Sequence, residues 1–165
     1  MRRIDKDPTP DGALVEPSSN GSTNWMAPSY DPLTGMFYVT ARRTWGEFYK
    51  TAEGKAEGWG GRDRILYADS VLQAIDFQTG KIRWSHELGT GEAASGILTT
   101  AGNILVTGDV VGNLLVLEPL TGKTLWHFRA NAKLVSCPMT YELDGVQYIL
   151  TAIGDIIYVW RLPEP

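Results

Sequence analysis

Ala74-Ile75-Asp76-Phe77-Gln78-Thr79-Gly80-Lys81-Ile82-Arg83-Trp84 has the form A-x-D-x-x-T-G-K-x-x-W, and it decides the fold because it recurs. Forty-two residues on, Leu115-Val116-Leu117-Glu118-Pro119-Leu120-Thr121-Gly122-Lys123-Thr124-Leu125-Trp126 repeats it. Glu118, Gly122, Lys123 and Trp126 fall at the positions of Asp76, Gly80, Lys81 and Trp84. A spacing of about 40–45 residues in a strand-rich chain is the period of a β-propeller blade.

Each position of the motif has a physical role. Val71, Leu72, Ala74 and Ile75 form a strand, and Ile82 to Trp84 begin the strand returning beside it. Between them a carboxylate at Asp76 can accept bonds from backbone amides two residues on, and Gly80 supplies the positive φ of a tight turn. Trp84 then lies on an outer strand, where its large flat indole packs between neighbouring blades. A single copy would read as an ordinary Asp…Gly hairpin. Two copies in register read as a repeat device that stitches sheets together.

Composition narrows the class. Apolar residues make up 43% and charged residues 21%, which is globular rather than disordered. Eighteen glycines beside six tryptophans and seven tyrosines suit many short strands joined by tight turns. A net charge of −4 and a pI near 5.1 exclude nucleic acid as an expected partner. Cys137 is the sole cysteine, so there is no internal disulfide and no Cys-x-x-Cys metal or haem motif. The basic start Met1-Arg2-Arg3 has no apolar run behind it and is no secretory signal. No window reaches the roughly twenty apolar residues of a membrane helix.

Taken in order, residues 1–23 are a polar entry segment in which only Ala13-Leu14-Val15 suits a short strand. From Asn24 a strand–turn–strand unit runs through Asp31-Pro32-Leu33-Thr34-Gly35 to Met36-Phe37-Tyr38-Val39-Thr40-Ala41. It has relatives at Gly96 to Asp109 and Pro138 to Thr151, each followed by an outer hairpin. The expected blades are 24–88, with an insertion at 42–64 that holds Trp45, Phe48, Tyr49 and Trp59, then 89–130 and 131–165. A closed propeller needs at least four blades, roughly 160–180 residues at this period. The expected fold is therefore all-β, a partial β-propeller of about three four-stranded blades, the last lacking its full final hairpin.

With these residues in hand, the chain resembles the C-terminal part of the pyrroloquinoline quinone (PQQ)-dependent alcohol dehydrogenases, eight-bladed quinoprotein propellers joined by tryptophan-docking motifs. Residues 74–84 match that motif at every defining position, Ala74, Asp76, Thr79, Gly80, Lys81 and Trp84, and Glu118, Thr121, Gly122, Lys123 and Trp126 carry the second copy. Thr23-Asn24-Trp25-x-x-Pro28-Ser29-Tyr30-Asp31-Pro32 looks like the family's approach to the quinone, and Gly96 to Gly102 is also similar. The resemblance spans roughly residues 20–161 and implies that Asn24 approaches the quinone's polar edge with Trp25 beside it. An amide and an indole N–H suit a cofactor whose oxidised edge offers only acceptors. Ala94, Ser95 and Gly96 stand where relatives often have Trp-Gly-Gly, so a contact there would come from backbone amides or Ser95.

The resemblance also implies calcium, a small alcohol substrate and a periplasmic location. Its calcium ligands, its aspartate base and its adjacent-cysteine disulfide have no matching motif here, so the expectation is one wall of a quinone site, inactive by itself. Lys81 and Lys123 are expected to be solvated turn lysines, and His86 and His127 structural groups. The expected partners are the remaining blades of a propeller or a copy of this chain. The alternative is a non-catalytic propeller scaffold that binds a protein or peptide partner.

Overall fold

The computed structural model describes residues 8–51 and 61–161. Twelve strands are formed there, arranged in three antiparallel sheets. The first holds β1 (Ala13–Val15), β2 (Ser29–Asp31), β3 (Met36–Lys50), β4 (Gly61–Asp76) and β5 (Ile82–Thr90). The second holds β6 (Leu98–Thr99), β7 (Leu105–Gly108), β8 (Asn113–Leu117) and β9 (Thr124–Arg129). The third holds β10 (Met139–Leu143), β11 (Val146–Ile153) and β12 (Ile156–Arg161). Strands follow one another across each sheet, β6-β7-β8-β9 and β10-β11-β12, which is the order of a propeller blade. In the first sheet β3 pairs with β4 along its whole length, and its other edge takes β2 near Met36 and β1 near Gly46.

The apolar pattern explains the stacking. β8 reads Leu114-Leu115-Val116-Leu117 without alternation, because the second sheet is covered on both faces. Leu105, Leu115 and Leu117 face the first sheet, packing with Tyr38, Leu72, Ala74 and Leu88. Val106 and Leu114 face the third, packing with Leu134, Ile149 and Ile153. Burial of a full leucine side chain contributes about 1.5–3 kcal/mol.

The repeated motif forms the same turn twice. Asp76 Oδ1 accepts from the amides of Gln78 (3.0 Å) and Thr79 (2.9 Å), and Gly80 closes the turn at φ 68°. Glu118 accepts from Leu120 (3.0 Å) and Thr121 (2.8 Å), and Gly122 closes its turn at φ 73°. These bonds hold both carboxyls below their ordinary range: the Thr79 amide leads at Asp76 and the Thr121 hydroxyl at Glu118. Lys81 and Lys123 are exposed.

Trp84 then joins the blades. Its Nε1 donates to Pro119 O at 2.9 Å, and its ring lies so close over Gly122 that a Cβ there would sit 2.6 Å from Cε3. Tyr38, fully buried beside the indole, donates its hydroxyl to the same carbonyl at 3.0 Å. Burial pushes its phenol above the ordinary value, so it remains a donor. His86 Nδ1 lies 2.9 Å from Gly122 O, a structural place as expected, while His127 is exposed on β9. Trp126 packs edge-on against Trp160 of the third sheet at 5.3 Å. The stretch 162–165, where the third blade's turn is due, lies outside the described residues.

Two details go beyond the sequence reading. Residues 42–50 and 61–64, expected as an insertion, continue β3 and β4 as one long hairpin. The inward–outward alternation of β3 runs on through Arg42, Thr44 and Gly46, which stay buried because the entry segment covers them. Ser18 N donates to Thr44 O at 3.0 Å, and a Cβ on Gly46 would meet Ser18 Cβ at 3.0 Å. β1 forms at Ala13–Val15, the stretch that suits a short strand in the sequence, and with Ser18 it seats the entry segment on the first sheet. Trp59 falls outside the described residues.

Candidate functional site

β2, β6 and β10 are edge strands of their sheets, and the segments entering them lie side by side. Ile97 N donates to Ala27 O at 3.0 Å, and Gly96 N donates to Ser136 O at 3.3 Å. Just beyond, the hydroxyls of Ser29 on β2 and Thr99 on β6 are 2.7 Å apart. The segments that carry the two stretches singled out from sequence, 20–27 and 91–97, are therefore neighbours.

Asn24 and Trp25 face solvent. Trp25 is 58% exposed, whereas Met26 directly after it is 4% exposed and anchors the segment. Asn24 Nδ2 donates to Asn20 O at 3.1 Å, so one of its two amide N–H donors is left to give. A large exposed indole beside a free donor is unusual for packing and suited to a flat ligand.

The second stretch is more constrained. Ser95 is 1% exposed, and its hydroxyl donates to Gly96 O at 2.8 Å and lies 3.4 Å from Ser136 O. Gly96 is buried, and a Cβ there would lie 2.1 Å from Cys137 Sγ, so no other residue fits without movement. The Gly96 amide is thus committed to the third blade's entry segment, and the Ser95 hydroxyl chiefly to Gly96 O of its own segment. Gly91, Glu92 and Ala94, all half-buried, are the parts of 91–96 that reach the surface.

Several residues shaping these segments carried no motif. Ser70, fully buried on β4, donates to Gly91 O at 2.8 Å and accepts from Ala93 N at 2.9 Å, which fixes the turn at 91–93. Arg42, 6% exposed, directs Nε and Nη2 to Ala93 O at 3.1 and 2.8 Å. Asn20 Nδ2 donates to Glu92 Oε1 at 3.1 Å. The signal that finds Arg42 is its even spacing from Met36, Tyr38 and Thr40, which assigns it to the inward face of a strand. Among the described residues, no group of three or more His, Cys, Asp or Glu side chains is placed to hold a metal ion. No helix there is long and apolar enough to cross a membrane.

Comparison with known proteins places this architecture. The family described as PQQ glucose/ethanol/alcohol dehydrogenase, β-propeller domain, matches residues 68–149. A quinoprotein ethanol dehydrogenase of Pseudomonas putida is 39% identical over 148 residues, covering 85% of this chain and 23% of the relative. A 1-butanol dehydrogenase (quinone) of Thauera butanivorans is 36% identical over 156 residues, covering 89% of this chain and 25% of its own. The crystal structure of a quinohemoprotein alcohol dehydrogenase from Comamonas testosteroni superimposes with a TM-score of 0.76 at 26% identity, over 91% of this chain and 24% of that one. The chain spans about a quarter of the length of these relatives.

Proposed function

Because this chain belongs to the β-propeller family of the PQQ-dependent alcohol dehydrogenases and carries a portion of that propeller, we propose that it supplies one wall of a quinone site in an enzyme oxidising a small alcohol. The observation that carries the reading is the convergence of 20–27, where Asn24 and Trp25 are exposed, with 91–97. A bound PQQ would accept the two electrons released by the alcohol's oxidation. Asn24 would give its spare N–H to an acceptor on the quinone's polar edge, and Trp25 would lie along the ring and exclude water. Ala94 would complete the wall, with Ser95 and Gly96 behind it as the support that fixes its position. Calcium ligands and the base that takes the alcohol's proton would come from other blades, and residence in the periplasm would follow the family.

The docking turns support association with further blades. Gly122 is covered by Trp84, whereas a Cβ on Gly80 would meet nothing within 4 Å although its turn has the same hydrogen bonds. The turn at Asp76–Lys81 is thus an open seat for an outer-strand tryptophan, and among the described residues β12 pairs on one edge only, with β11. Other blades of a propeller, or a copy of this chain, would fill both.

The test is quinone affinity, measured by titration of the protein in its complete propeller with Asn24 intact or replaced. Asn24→Ala is expected to weaken binding about tenfold, the value of one hydrogen bond to a charged or strongly polar group. Unchanged affinity would sink the assignment.

A further inference from the structure

Arg42 stands at the centre of a polar network that joins the two segments of the proposed quinone wall. Besides its two bonds to Ala93 O, Nη2 lies 3.1 Å from Met26 Sδ and Nη1 lies 3.9 Å from Glu92 Oε1. Glu92 Oε1 accepts from Asn20 Nδ2 at 3.1 Å, and Asn20 O accepts from Asn24 Nδ2 at 3.1 Å. The backbone joins in, with Arg42 N donating to Ser22 O at 2.6 Å. A continuous path runs from Ala93 through the guanidinium and Glu92 to the side chain of Asn24.

A buried cation is costly unless it is paired and hydrogen-bonded. Its neighbour shows the cheaper alternative: Arg43 points to solvent and pairs with Asp69 (2.7 Å) and Glu87 (3.0 Å). A guanidinium is the side chain able to give two N–H groups to one carbonyl while still reaching a sulfur and a carboxylate. Neither segment pairs as a strand, and the clamp joins them to each other where the Ser70 and Ala68 bonds hold 91–93 only to β4.

We infer that Arg42 is a positioning residue, whose guanidinium, with Glu92, locks 20–26 onto 91–94 and thereby sets the pose of Asn24. The inference rests on the reading that Asn24 faces a quinone. Its structural part, the coupling of the two segments, can be measured without one.

Hydrogen exchange would be followed in peptides covering 20–28 and 91–97, for the wild-type chain and for Arg42→Met, Arg42→Lys and Glu92→Gln. Arg42→Met fills similar space without donors and is expected to speed exchange in both segments together by roughly ten- to a hundredfold, leaving the second and third sheets unchanged. Arg42→Lys should restore part of the protection, and Glu92→Gln should loosen 20–26 more than 91–97. A change in one segment alone, no change, or an even rise across all three sheets in the milder Glu92→Gln and Arg42→Lys variants would overturn the inference. If Arg42→Met fails to fold, those two variants carry the test. PQQ titration of the same variants separates the two claims. Coupled loosening with weaker binding supports both. Coupled loosening with affinity unmoved, in these and in Asn24→Ala, keeps the clamp and removes the quinone wall.

Discussion

The indole N–H of Trp84 in the first blade and the carbonyl of Pro119 in the second meet at 2.9 Å, directly over the glycine that closes the second blade's turn. One side chain therefore ties an outer strand to the neighbouring sheet by a hydrogen bond and by ring contact at once. Replacing Trp84 with Ala removes both and is expected to cost about 3–5 kcal/mol. Trp84→Phe keeps a ring and leaves Tyr38 still bonded to Pro119 O, so about 1 kcal/mol is expected. Denaturant unfolding of the two variants checks the order.

Gly122 and Gly80 share a turn conformation and differ in what lies above them. Ala at either must adopt positive φ, costing about 1 kcal/mol. At Gly122 the new methyl also meets the Trp84 ring, which adds about 1–3 kcal/mol of overpacking. Gly122→Ala should thus lower the unfolding midpoint clearly more than Gly80→Ala. Equal effects would mean that the docking contact does not form in solution.

The docking turns were legible in sequence because each role has a distinct chemical mark: a carboxylate for amides, a glycine for positive φ, an indole for the seam. Asn24 and Trp25 were legible as a pair through the family resemblance, and their exposure agrees with a surface role without testing it. Arg42 was not legible, since an Arg-Arg pair reads as solvated and only the continuing strand alternation turns one of the two inward. The strand pairing of 42–50 with 61–70 was not legible either, because the four arginines and five glycines of 42–64 mark no strand. The burial of Ser95 was equally hidden, because it depends on Ser136, forty-one residues away, closing over it.

Acid should loosen the two docking turns. The Asp76 and Glu118 carboxyls are held below their ordinary values in the folded chain, so the stability they contribute is present above the unfolded values, near pH 4, and is lost as pH falls through the lower folded values. Thermal unfolding followed between pH 5 and 2 should decline less steeply in the double variant Asp76→Asn, Glu118→Gln than in wild type. Parallel curves would remove these groups as a source of acid sensitivity.

Trp25 separates binding from folding. An indole 58% exposed contributes little packing, so Trp25→Ala should leave the unfolding free energy within about 0.5 kcal/mol. Its PQQ affinity should fall nonetheless, a split that a core tryptophan could not produce. Calorimetry of the variant, paired with a quinone titration, measures both.

The central claim is that quinone lies against Asn24 and Trp25, and hydroxyl-radical footprinting of the complete propeller with and without PQQ addresses it most directly. The account predicts that oxidation of Trp25 drops when quinone is added while that of Trp126, 44% exposed between the second and third blades, does not. Quinone that binds without protecting Trp25 would contradict it.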